Sequence, residues 1–253
     1  MIAEIGMEML LIAAGITLFA GVVKGAVGFA MPTIMISGIS SILPAEVALS
    51  MLILPTVMTN VTQALRQGWR EAWVSVKRFK VYLMVGGVFL VMGAQLVSYL
   101  PPHVLLLIIG LPLTGFALMQ LLGMTFQIAP ANRLKAEAMI ASVAGFIGGM
   151  SGVWGPPTVA YLTATNTPKK EHVRVQGAIY GLGAVALFLV HLQTGIISAR
   201  TLPTSALMLL PAGIGMLIGF MIQDRLDQAK FKKATLLVLV VAGLNLVRRG
   251  MMG

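Results

Sequence analysis

The chain has 253 residues, 58 % hydrophobic and only 10 % charged, with a net charge of +10 and a mean hydropathy of +0.93. A soluble domain carries about 25 % charged residues, so this surface cannot face water throughout, and the alternating strands of an outer-membrane barrel are absent. The lack of cysteine excludes disulfides, thiolate metal sites and cysteine catalysis, and the basic excess lies in short loops with no nucleic-acid-binding module beside it.

Runs of about 20 apolar residues, as bilayer-spanning helices require, recur along nearly the whole chain. The N-terminus carries Glu4 and Glu8 without a basic stretch, so it does not read as a cleaved leader. An apolar run over 7–23 meets a glycine cluster, and a shorter run over 31–43 stops at Pro44. The pair predicts two short helices with the glycines at their junction. A helix over 45–65 follows, then a basic loop with Arg66, Arg70, Lys77, Arg78 and Lys80 against one acid, Glu71. Trp69 and Trp73 beside it read as interface anchors. Spans over 82–99 and 104–124 are joined by Pro101 and Pro102, and the segment 126–137 leads onward. The run 138–150 enters a second glycine cluster and 157–165 leaves it. A polar loop over 166–174 precedes spans over 175–192, 202–222 and 234–247, the last two separated by a charged turn over 224–233.

The two glycine clusters are copies of one plan. Adding 124 to Gly21, Gly25, Gly28, Pro32 and Pro44 gives Gly145, Gly149, Gly152, Pro156 and Pro168. Glycine clusters and proline are poor helix formers, and interrupted apolar segments at matching places in two halves point to the binding site of a secondary transporter. The chain therefore divides into an N-terminal repeat 1–125, a cytoplasmic linker 126–137 and a C-terminal repeat 138–253. The basic loop of the first repeat corresponds to a stretch of the second holding only Arg200, while the uncharged Pro101–Pro102 turn corresponds to the turn with Arg225, Lys230, Lys232 and Lys233. Because basic loops stay cytoplasmic, the halves are expected to insert with opposite topology. Under that arrangement all but Lys24, Arg200, Arg248 and Arg249 face the cytoplasm, fourteen of the eighteen Lys and Arg. The expected fold is an all-α polytopic membrane protein of two inverted repeats. Each has a broken, hairpin-like first segment and three transmembrane helices, giving eight to ten membrane helices in all.

With both motifs in place, the chain resembles the TauE/SafE family of sulfite and organosulfur anion exporters. The resemblance rests on the Gly-x-x-x-Gly-x-x-Gly cluster leading to Pro32 and on its recurrence as Gly-Gly-Met-Ser-Gly-Val-Trp-Gly-Pro-Pro from Gly148 to Pro157. It covers essentially the whole chain. It implies export or exchange of small anions, with sulfite, sulfonates and thiocarboxylates among the substrate types, across a bacterial-type cytoplasmic (inner) membrane.

An anion carrier has a physical use for such breaks. A broken helix leaves N–H groups unpaired where its second piece begins, and the helix dipole adds positive charge there. Glycine lets the backbone turn and approach a ligand closely, although small residues equally permit close helix packing. Two breaks entering from opposite faces would enclose one site near the midplane. The expected binding residues are Gly25, Gly28, Gly149 and Gly152, with Ser151, Trp154 and Thr158 flanking the second break. Lys24 reads as the only charge inside a span, a functional candidate by default unless it snorkels to the interface. Asn60 and Gln63, three apart, and Gln176 and Tyr180, four apart, could hydrogen-bond a bound oxyanion or simply bridge helices. His191, Glu46 and Glu171 read as structural or interfacial.

No intramembrane aspartate pair, His-Glu-x-x-His or Gly-x-Ser-x-Gly is present, so an intramembrane enzyme is disfavoured. A passive anion channel and a carrier of another small solute remain the alternatives. The expected partners are a small inorganic or organosulfur anion and the lipid bilayer. No cofactor, metal or nucleic acid is expected, and a homodimer is left open.

Overall fold

The computed structural model describes residues 5–96, 102–124, 128–151, 155–193, 198 and 201–252. Among them the secondary structure is helical throughout, with no strand. The helices are α1 (Met7–Val27), α2 (Met31–Ile39), α3 (Ala45–Leu65), α4 (Trp69–Arg78), α5 (Lys80–Leu96), α6 (Pro102–Leu121), α7 (Arg133–Ser151), α8 (Gly155–Ala164), α9 (Lys169–Gln193), α10 (Leu202–Leu207), α11 (Leu209–Arg225) and α12 (Gln228–Met252). A 3₁₀ turn at Pro130–Asn132 leads into α7. Among the described residues, four stretches are long and apolar enough to cross a bilayer: Met7–Val27, Val47–Leu65, Leu202–Arg225 and Gln228–Met252. Shorter apolar helices cover Lys80–Gly93 and Gly110–Leu121. The protein is an all-α, multi-pass membrane protein.

The 124-residue shift can be applied to the helix bounds too. Adding 124 to the ends of α2 (31–39) gives 155–163, against Gly155–Ala164 for α8. The same shift takes α3 (45–65) to 169–189, within α9, and the end of α1 at 27 to 151, the end of α7.

Several bounds differ from the sequence expectation, each for a local reason. Helix α1 runs to Val27, beyond Gly21 and Gly25, because the break is made by two left-handed residues, Gly28 (φ 93°) and Ala30 (φ 74°). Gly28 caps α1 by donating its N–H to the Lys24 carbonyl at 2.7 Å, the usual duty of a glycine past a helix end. Pro32 in the first turn of α2 needs no N–H partner there. The basic stretch after α3 contains a helix, α4, and the charged turn before the last span shrinks because α12 begins at Gln228. Pro101, Phe126, Gly152, Trp154 and Arg200 lie outside the described residues.

The chain forms two compact units, each drawing helices from both sides of the 126–137 segment. Unit 1 comprises Met1–Ala72 and Val173–Asp227. Within it α1 lies along α11, α2 turns back on α1 and α3, and α10 and α11 cover α3. Its core is unusually rich in methionine, with Met31, Met35, Met51 and Met208 buried against Ile39 and Ile53. Such flexible side chains fill gaps between helices of irregular direction. Unit 2 comprises Trp73–His172 and Gln228–Gly253. Here α5 pairs with α7 and α6 with α12, while α8 touches α6, α7 and α12.

Glycine makes these pairings close. A Cβ on Gly25 would lie 2.8 Å from the Gly219 Cα, and one on Gly219 would lie 2.7 Å from the Gly25 Cα. Gly21 and Gly215 meet the same two helices one turn away. In unit 2, Gly145 faces the Gly86 backbone and Gly93 faces that of Phe146. Small residues four apart let helix backbones touch where lipid gives no hydrophobic drive.

Candidate functional site

The structure divides the first glycine motif into two jobs. Gly21 and Gly25 serve helix packing, so Gly25 meets the α11 backbone instead of lining an open break. Gly28 opens the break that Ala30 completes, and two constraints fix it as glycine. Its φ of 93° is left-handed, and a Cβ there would overlap the side-chain amide oxygen of Gln176.

Around this break unit 1 gathers five of the expected residues. Lys24, in the last turn of α1, is 1 % exposed, so its side chain turns inward and does not snorkel. Its Nζ donates to Asn60 Oδ1 on α3 at 2.6 Å and lies 5.9 Å from the centre of the Tyr180 ring on α9. No carboxylate among the described residues is within ion-pair distance of it. An ammonium buried without a counter-charge is costly.

One turn along α3, Gln63 ties the break to α9. Its Nε2 donates to the Gly28 carbonyl at 3.1 Å and to the Val173 carbonyl at 2.6 Å. Its Oε1 is buried with no hydrogen-bond partner, which leaves an acceptor for a water or a ligand group. Gln176 is fully buried against Gly28. The approach of α9 to α3 depends on Gly177, where a Cβ would come within 3.0 Å of the Asn60 oxygen and the Ala64 Cα. Thr56 and Thr59 donate their hydroxyls to the carbonyls of Leu52 and Pro55 and are thereby committed to their own helix.

Beyond Gln63, two arginines of unit 1 are paired with acids. Arg66 bonds Asp224 at 2.7 Å and Gln223, with its guanidinium 3.9 Å from the Phe220 ring centre. Arg174 pairs with Glu71 at 3.2 Å and bonds Gln67. Asp224 and Glu71 are thus each paired with an arginine, while no carboxylate among the described residues pairs with Lys24.

The remaining expected residues belong to unit 2. Thr158 is buried on α8 and shares a hydrogen bond of 2.7 Å with the Tyr82 hydroxyl. Gly149 and Ser151 fall in the last turns of α7, and Gly152 and Trp154 lie outside the described residues. Unit 2 also holds a residue the sequence reading assigned to the connecting segment. Glu137 is 5 % exposed on α7, accepting the Tyr82 N–H at 3.0 Å and the Tyr161 hydroxyl at 3.2 Å. Like Lys24 it is a buried ionisable residue, in a helix that is not among the four stretches long and apolar enough to cross a bilayer. Its position five residues into a helix that is otherwise apolar to Ser151 was the available signal. Here the carboxylate satisfies an N–H of the first turn of α5.

A family model described as "Sulfite exporter TauE/SafE" matches residues 13–246. No curated protein and no solved structure matches the chain.

Proposed function

Because the chain belongs to the TauE/SafE family of membrane transporters, we propose that it is a secondary exporter of a small anion, sulfite or a sulfur-containing organic anion. The observation that carries this reading is Lys24, buried with a neutral amide as its only hydrogen-bond partner among the described residues. A bound anion supplies the charge that the fold withholds. Asn60 orients the ammonium, the Tyr180 face adds a weak cation–π contact, and Gln63 and Gln176 hold the Gly28 turn. Selectivity for anions then follows from Coulomb attraction, while the amides choose among oxyanions by hydrogen bonding.

The cluster is closed by these side chains, so entry and exit require Gln63 and Gln176 to move away from Gly28. That opening is the gating step of alternating access. The repeats insert with opposite topology in the cytoplasmic membrane, as the flipped loop charges indicate. In this chain without cysteine, single cysteines at positions 72 and 228 are expected to label from the same, cytoplasmic side; labelling from opposite sides overturns the inverted arrangement.

Binding of sulfite, sulfoacetate, thiosulfate and a carboxylate lacking sulfur to the purified chain tests the substrate class. A ligand that binds only the folded state raises the melting temperature. Stabilisation by a sulfur oxyanion, absent in Lys24→Ala, is the expected result. No shift with any of the four would remove the anion reading while leaving the fold untouched.

A further inference from the structure

Threonine hydroxyls in helices commonly donate to the carbonyl four residues back. Thr17, Thr56, Thr59, Thr114 and Thr165 all do so, at 2.6 to 3.0 Å. Thr163 and Thr235 do not. They are 5 % and 0 % exposed, and neither Oγ1 has a hydrogen-bond partner. Both line one small cavity in unit 2, of about 10 Å³, between the end of α8 and the first turns of α9 and α12. That is room for one water-sized body. Two buried hydroxyls left unpaired at the same cavity mark an occupant, because each would otherwise carry the full desolvation cost.

The walls decide the occupant's charge. A cation would need oxygen ligands, and the carbonyls at the end of α8 are already taken. Those of Tyr161, Leu162, Thr163 and Ala164 accept from the N–H groups of Thr165, Thr167, Asn166 and Ile128. No carboxylate lines the cavity, and Lys232 does. The first turns of α9 and α12, represented by His172 and Gln228, also form part of the wall and present the positive ends of two long helices. Gln228 fixes this junction, accepting the Lys169 N–H at 2.9 Å and donating to the Thr167 carbonyl at 3.2 Å. His172 is held neutral by burial, with its pKa down at about 3, and so brings a polar ring without charge. Donor hydroxyls, an ammonium and two helix N-termini around a water-sized space suit an anion.

We propose that this cavity binds one small anion of halide size, held by the Thr163 and Thr235 hydroxyls and Lys232. The occupant joins the end of α8 to the start of α12. The site shares no residue with the Lys24 cluster and stands or falls independently of the transport reading.

The test uses the purified full chain in sodium gluconate, sodium chloride and sodium bromide at equal ionic strength. Chloride and bromide should raise the melting temperature in a saturable way and gluconate should not. The effect should persist in Lys24→Met, and in Thr235→Val and Lys232→Gln the half-saturating concentration should rise at least tenfold. The sign for Thr235→Val is a second readout. In gluconate it should be at least as stable as wild type, since an unpaired hydroxyl is gone, and in bromide it should be the less stable. Equal melting temperatures of the wild type in all three salts would overturn the proposal, leaving a water-filled cavity. A halide effect lost in Lys24→Met would overturn it too, by moving the anion elsewhere.

Discussion

Replacing Lys24 by methionine separates what the fold needs from what the ligand needs. Methionine keeps a similar length of apolar side chain in a position that is 1 % exposed. The substitution removes a buried ammonium that has no acidic partner among the described residues, which favours the folded state. It also strips Asn60 Oδ1 of its 2.6 Å donor, at a cost of about 1–3 kcal/mol. The two effects oppose each other, so the melting temperature should change by no more than a few degrees. The ligand has no such compensation. An ammonium and a monoanion about 4 Å apart attract by about 4 kcal/mol at an effective dielectric of about 20, equivalent to roughly a thousandfold in affinity. Calorimetric titration of sulfite, together with sulfite efflux from proteoliposomes, measures the loss. Affinity within threefold of wild type, in a variant that retains its helix content, would refute the assignment of Lys24 to the site.

Three further outcomes follow from the described contacts. Gly28→Ala should lower stability, since a left-handed residue with a Cβ costs roughly 1–2 kcal/mol and the new methyl displaces Gln176. Gly15→Ala, in the same helix with nothing within 4 Å of the added carbon, should be neutral or gain up to about 1 kcal/mol; similar melting temperatures for the two variants would remove Gly28's special role. Glu137→Ala leaves the Tyr82 N–H and the Tyr161 hydroxyl without their acceptor, and a loss of roughly 3 kcal/mol should appear as earlier thermal unfolding of unit 2, whereas an unchanged melting curve would make the carboxylate dispensable. His172 titrates at about 3 in the fold against about 6.5 when unfolded. Its contribution is therefore complete above pH 6.5 or so and is lost as pH falls towards 3, by at most about 1.4 kcal/mol per unit. Melting temperature against pH should show this limb, and His172→Leu should flatten it; an identical slope in the variant would assign the acid sensitivity to other groups.

Much of this protein is written in the order of its residues. A bilayer imposes a one-dimensional constraint, a run of apolar residues about 20 long, so the membrane class and the positions of most helices follow from hydropathy alone. The recurrence of glycine and proline 124 residues on is legible as well, because Gly28 and Pro32 serve backbone geometry, which leaves a residue-specific mark in the sequence. Lys24 stood out for the same reason: a charge within an apolar run is expensive in any arrangement of helices.

What required the tertiary structure is which of several equivalent uses each residue is put to. Gly25 and Gly28 are alike in sequence, yet one meets the backbone of Gly219 and the other turns the chain against Gln176. The difference lies in a partner helix some 190 residues away, between Gly25 and Gly219, that no local pattern encodes. Asn60 and Gln63 were candidates by spacing, but only the packing of α3 against α1 and α9 gives the first to Lys24 and the second to Gly28 and Val173. Glu137 looked like a linker residue because acids belong in water unless a partner is supplied, and its partners, Tyr82 and Tyr161, come from two other helices. Thr163 and Thr235 were indistinguishable from the chain's other threonines until their hydroxyls were found unpaired. Hydropathy and backbone requirements act along the chain and are legible there, whereas hydrogen-bond partnership is decided across it.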